Sequence, residues 1–223
     1  MRRRSLIALG GAVVALGLSS LAVPGADAGV SSFCQSNLNP ADDTLQAVSA
    51  QQFVGSSAGI WTKGASLVRI PASTSCTMNY LVVIGRISGP GPVPKVNIQV
   101  KDDTLSGPHK PTGPNLALGN MNIPPTSIST PAGYYNITTN LAAPVTITAG
   151  SADRFVWVIF QAKMNPSIGG KWSWEVAVPD PAFNSDLWRN PGGLQGCGTN
   201  WKPVSVPCLG SIPGKGLMME VGT

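Results

Sequence analysis

Between Tyr134 and Gln161 the chain reads YYNITTNLAAPVTITAGSADRFVWVIFQ, and its apolar residues recur with period two. Tyr135, Ile137, Thr139 and Leu141 alternate with smaller or polar residues, as do Val145 and Ile147. Arg154 to Gln161 is apolar on both faces: Phe155, Trp157 and Ile159 on one, Val156, Val158 and Phe160 on the other. Alternation predicts half-buried strands, and a short run apolar on both faces predicts a central strand. Ala142-Ala143-Pro144 and Gly150-Ser151-Ala152-Asp153 read as breaks between them. The stretch therefore predicts the middle of an antiparallel sheet.

The same pattern runs through the rest of the chain. Gln51 to Gly55 and Ala65 to Ile70 read as strands, the second closed by Pro71. Met78 to Ile87 is longer, with Met78, Tyr80, Val82 and Ile84 predicted on one face. Val96, Ile98 and Val100 alternate with Asn97, Gln99 and Lys101, which predicts one wet face. Residues 102–114 and 124–131 read as loops, with a short strand over Leu116 to Met121. Lys171 to Val178 places Trp172, Trp174, Val176 and Val178 on one face, residues 179–214 are irregular, and Lys215 to Val221 can close a sheet. Asn39-Pro40-Ala41-Asp42 has the chemistry of a helix start. About nine or ten short strands predict one all-β domain, an antiparallel, jelly-roll-like β-sandwich with irregular disulfide-closed C-terminal loops.

Residues 1–28 change the picture of where this domain works. Arg2-Arg3-Arg4, the apolar run Leu6 to Leu21 and Ala26-Asp27-Ala28 form the three regions of a secretory signal peptide, with cleavage expected before Gly29. Ser31-Ser32-Phe33 before Cys34 is the wrong triplet for a lipoprotein signal, and no later apolar run is long enough to span a bilayer. The expected mature domain is 29–223, secreted and extracellular. Without the leader the chain keeps 12 basic and 9 acidic side chains, net +3 against +5 for the full sequence. No Lys/Arg run remains, which argues against nucleic acid. Four cysteines in an exported chain read as disulfides, with three pairings open. Cys34–Cys76 with Cys197–Cys208 is favoured, since the latter two bracket one Pro/Gly-rich loop.

The order QQF, SLVRI, VNIQVKDDTLSGP, YYNITTNLAAPVTITAGSADRFVWVIFQ and KWSWEV resembles the secreted bacterial β-sandwich domains called choice-of-anchor domains. The matching segments are Val96 to Pro108, Leu141 to Ile159 and Trp172 to Trp174, within residues 50–180. The resemblance implies a jelly-roll binding module. Such domains carry a C-terminal surface anchor, whereas this chain ends at Thr223 without a sorting motif or apolar tail, which favours release. The family supplies no catalytic residues to carry over.

Candidate chemistry is sparse. Gly55-Ser56-Ser57-Ala58-Gly59 matches G-x-S-x-G, and Ser57, Asp102 or Asp103, and His109 follow in hydrolase order. The helices of that fold are missing, and His109 lies in a Pro/Gly loop six residues after Asp103. Asp42-Asp43, Asp102-Asp103 and Asp153 could offer oxygen ligands to calcium, but turn aspartates need no metal. Glu175 and Glu220, the only glutamates, are a thin basis for a glycosidase pair. Trp157, Trp172 and Trp174 read as core. Trp188 and Trp201 lie in the irregular segment, where an exposed indole would stack on sugar rings. The sequence thus predicts a noncatalytic extracellular binding, adhesion or structural module, with no cofactor, no metal and no membrane span in the mature chain. Its expected partner is a polysaccharide or a cell-surface or matrix component. A carbohydrate-binding module built on Trp188 and Trp201 is the alternative, and a serine hydrolase the third reading.

Overall fold

The structure is a computed structural model that describes residues 33–38, 47–55, 59, 61–103, 109–117, 119–129, 134–177, 187–189, 199–204 and 216–223. The chain divides into residues 1–30 and 31–223, and every described residue lies in the second unit. The expected leader, the expected helix start at 39–42, Asp42-Asp43, Ser57, and Cys197 with Cys208 lie outside the described residues.

The described residues form fourteen strands and no α-helix. They are β1 (Phe33–Asn37), β2 (Ala47–Ser49), β3 (Gln51–Phe53), β4 (Lys63–Ile70), β5 (Ser75–Ser88), β6 (Lys95–Asp102) and β7 (Ser127–Ser129). β8 (Tyr135–Thr148), β9 (Arg154–Met164), β10 (Lys171–Ala177), β11 (Leu187–Arg189), β12 (Lys202–Pro203), β13 (Gly216–Leu217) and β14 (Met219–Gly222) follow. They make a β-sandwich of an eight-stranded and a six-stranded sheet. In the first, β5 is the spine: β8 runs along one edge, with β7 outside it, and β14 and β10 share the other. β1 lies outside β14, and Cys34 on β1 is disulfide-bonded to Cys76 on β5.

β9 is the centre of the six-stranded sheet. β6 pairs along one edge, while β4 and then β3 pair along the other; β11 and β12 continue beyond β4. β3 runs parallel to β9, so this sheet is mixed. The doubly apolar sequence of β9 explains its position. Val156, Val158 and Phe160 enter the core between the sheets, whereas Trp157 and Ile159 are buried on the outer face with Ala65 and Leu67. From the other sheet Trp172 and Trp174 pack edge-on against Phe160, with centroids 6.1 and 5.7 Å away. Glycines make room for both indoles: a Cβ at Gly64 would stand 2.6 Å from Cε3 of Trp174, and one at Gly85 would collide with the Trp172 ring.

Several elements depart from the sequence expectation. Ala142-Ala143-Pro144 is not a break: β8 continues through it as a bulge, because Asn140 pairs with Tyr80 and Val145 with Met78. Proline is tolerated there since a bulged residue owes the ladder no N–H. The same irregularity at Asn79 shifts the face of β5, so Leu81 and Val83 join Met78 in the core, not Tyr80 and Val82. The described residues of 116–121 form no strand; their backbone runs beside β6 through bonds such as Leu116 N to Val100 O (2.6 Å) and Ile98 N to Asn120 O (2.8 Å). Residues 127–129, expected in a loop, form β7, and 187–189 and 202–203, expected to be irregular, form β11 and β12.

Candidate functional site

The outer face of the six-stranded sheet carries the side chains with chemistry to offer. Alternation along β4, β6 and β11 brings Lys63, Lys101 and Arg189 to this face, and Lys63 and Arg189 are direct register partners. Trp61, just before β4, lies beneath two of these cations: Lys63 Nζ stands 4.9 Å and Arg189 Cζ 5.6 Å from its ring centroid. The half-buried Trp201 packs onto the Ala65, Leu67, Trp157 and Ile159 cluster. Lys101, Arg189, Trp201, Pro111, Thr112 and Asn200 line a cleft of about 310 Å³. A smaller cleft of about 140 Å³ lies between Trp61, Lys63, Gln52, Gln161 and Met121.

Polar side chains tie this face together. Gln161 donates to Thr62 O (2.8 Å), Asn97 donates to Gln161 Oε1 (3.0 Å) and Gln52 Oε1 (2.8 Å), and Asn97 Oδ1 accepts from Asn122 N (2.8 Å). Asn97 and Gln161 are thereby buried with their amides engaged, so the predicted wet face of β6 is dry at Asn97. Lys63 Nζ donates to Gln99 Oε1 at 3.0 Å, and Lys101 Nζ to Gly113 O at 3.3 Å. Burial first, then the charges of Arg189 and Lys101, lower the Lys63 ammonium to about 8.

Beside this face the structure brings together two residues of the hydrolase reading. Asp103, with a fully buried side chain, accepts from Trp157 Nε1 (2.8 Å) and Lys110 N (2.9 Å) and is bonded to Nδ1 of His109. The His109 ring, 45% exposed, leans on Phe155 with centroids 5.2 Å apart. An imidazole oriented by a buried carboxylate is the base half of a nucleophilic triad. Among the described residues, however, His109 has no hydrogen-bond partner except Asp103. A cleft of about 360 Å³ adjoins Asp103, lined also by Asp102 and residues 150–155.

The remaining carboxylates among the described residues are engaged. Asp102 receives Arg154 Nη2 at 2.7 Å, and Asp153 receives Arg69 Nε at 2.6 Å. The Ala72 amide, then Arg69, hold the Asp153 carboxyl below the usual range. Glu175 is buried against Arg86 at 2.9 Å. Glu220 accepts from Tyr80 Oη (2.9 Å) and Ser36 Oγ (3.1 Å); burial, then that bond, push the Tyr80 hydroxyl up to about 12. Glu175 and Glu220 thus hold separate partners on different strands.

Trp201 is brought to the cleft, while Trp188 occupies the β11 position opposite Gly64 and Lys202. The sequence reading missed Trp61, Lys63, Lys101 and Arg189. The only local signal was a tryptophan two residues before a lysine at a strand start; the rest is assembled by pairing across four strands. No protein-family model matches the chain, and no curated protein is significantly similar to it.

Proposed function

We propose that the protein is an exported, noncatalytic binding module whose contact surface is the outer face of the six-stranded sheet, and that its ligand is a saccharide chain. The observation carrying this reading is the pair of indoles, Trp61 and Trp201, each lining a cleft on one rigid sheet face. A fixed indole offers an apolar plate and a polar edge, and it loses little entropy when a sugar ring stacks on it. The leader, the Cys34–Cys76 disulfide and the resemblance to choice-of-anchor domains support an extracellular setting. The test is retention of the secreted protein on a glycan array and on insoluble polysaccharides. Trp61→Ala and Trp201→Ala should each abolish most of the retention. Trp201→Ala should also lower the melting temperature, because that ring covers part of the outer apolar cluster, whereas Trp61→Ala should shift it little. Retention unchanged in both variants would refute this reading.

The Asp103–His109 contact supports the hydrolase as a second reading. It requires Ser57 to react with a fluorophosphonate probe and His109→Ala to abolish that labelling. An unlabelled Ser57 removes it.

A further inference from the structure

We infer that the saccharide bound on this face is acidic, with its carboxylate or sulfate group held between Lys101 and Arg189 and Lys63 completing the positive field. The inference rests on the saccharide reading and narrows it to a ligand class.

Among the described residues, the arginines away from these clefts are all paired with carboxylates. Arg69, Arg86 and Arg154 each hold a carboxylate: Asp153, Glu175 and Asp102. Lys63, Lys101 and Arg189 hold none among the described residues; their hydrogen bonds go to Gln99, to Gly113 O and to Thr199 O. The nearest carboxylates by sequence are Asp102, which follows Lys101 directly and is held by Arg154, and Asp103, two residues on. The Asp103 carboxylate is engaged by Trp157, Lys110 and His109. Lys63, Lys101 and Arg189 therefore stand at these two clefts without a protein counter-ion among the described residues.

Gathering them is unfavourable. Like charges on neighbouring strands repel, and a partly buried ammonium loses hydration. The depressed Lys63 pKa registers both effects. Overall basicity does not explain the cluster, since the full chain carries a formal net charge of only +5. An anion between Lys101 and Arg189 would relieve the repulsion. The guanidinium could grip a carboxylate or sulfate through two N–H groups, and the ammonium could add a point charge from the opposite wall. The cleft is of monosaccharide scale, at about 310 Å³, with Trp201 as one wall. The acidic group and the stacking plate thus belong to one ligand unit, which favours an acidic sugar over an isolated phosphate.

The experiment measures binding of the secreted protein to four probes: polygalacturonate for carboxylate, heparin for sulfate, dextran as a neutral glycan, and duplex DNA as a non-sugar polyanion. Variants are Lys101→Gln, Arg189→Gln and Lys63→Gln, with Lys171→Gln as a control for one lost charge on the other sheet. One acidic glycan should bind well above dextran and DNA, and which one it is decides between carboxylate and sulfate. Lys101→Gln and Arg189→Gln should each weaken it about tenfold, the loss of one charge-assisted contact, and Lys171→Gln less than about twofold. Lys63→Gln should weaken binding while raising the melting temperature, a combination that lost packing does not produce. Binding to dextran alone overturns the acidic assignment and leaves the saccharide reading intact. Failure of every glycan overturns both. Equal binding to DNA, or an equal effect of Lys171→Gln, also overturns the assignment, because the face would then respond only to charge.

Discussion

Asp103 and Lys63 lie on the outer side of the same sheet, and burial acts on them differently because only one has its charge answered. Asp103 receives two N–H donors besides His109. Asp103→Ala leaves the buried Trp157 Nε1 without its acceptor and should cost about 3 kcal/mol in urea unfolding. Asp103→Asn, which keeps one acceptor oxygen, should cost less, and His109→Ala under about 1 kcal/mol because that ring is half exposed. Lys63 has no counter-charge among the described residues, and its folded pKa of about 8 lies below the ordinary 10.5. Between these values the unfolded chain holds the proton that the folded chain has released, so raising the pH favours folding. Below about 8 both forms are protonated and the folded state bears the full penalty. Wild type should therefore gain stability relative to Lys63→Gln as pH rises from 8 to 10, as measured by chemical unfolding at each pH. Neither environment was legible in the sequence. Asp103 is buried by an indole 54 positions away, and Lys63 is perturbed by cations on two other strands.

At the scale of elements, period-two alternation located β6 and β10, whose polar or small residues set the phase, and the run apolar on both faces located β9 as a central strand. It misassigned the inner face of β5. Tyr80 to Ile84 is YLVVI, apolar at every position, so nothing in that run distinguishes one phase from the other. The bulge between Met78 and Tyr80 chooses Leu81 and Val83, and bulges are created by pairing, here with 141–144 of β8. β7 and β11 are three residues long and too short to show a period. The β5–β10 pairing depends on Gly85, whose missing Cβ leaves space for the Trp172 ring and the Ser173 carbonyl. Gly85→Ala should destabilise by about 2–3 kcal/mol through overpacking. The measurement is a shift in urea midpoint at unchanged slope; an unshifted midpoint would show that Trp172 can move aside.

Across the described part of the molecule, the two-layer architecture was readable from strand number and apolar content, and so was the Cys34–Cys76 bond among three possible pairings. The mixed character of the six-stranded sheet was not. β3 is three residues long, and its parallel seat beside β9 is set by Gln51, a buried amide that receives Trp172 N at 2.6 Å and donates to Met164 O and Gly170 O. The disulfide spans 42 residues, so converting Cys34 and Cys76 to serine should cost up to about 4 kcal/mol by the chain-entropy argument. Thermal unfolding of the double variant checks this, and non-reducing peptide mapping of the wild type should recover a peptide joining the two cysteines.

β14 lies between β1 and β5, and β1 has no other strand partner among the described residues. Synthesis runs from the N-terminus, so β1 and β5 are made well before β14. The slot beside Tyr80 to Val83 therefore stands open until β14 has been made. Two stalled or shortened chains could offer each other what both lack, since an unfilled slot accepts any copy of Met219 to Gly222. Loss of β14 should then show itself as exchange between molecules, with dimers and longer assemblies, before it shows itself as a lower melting temperature.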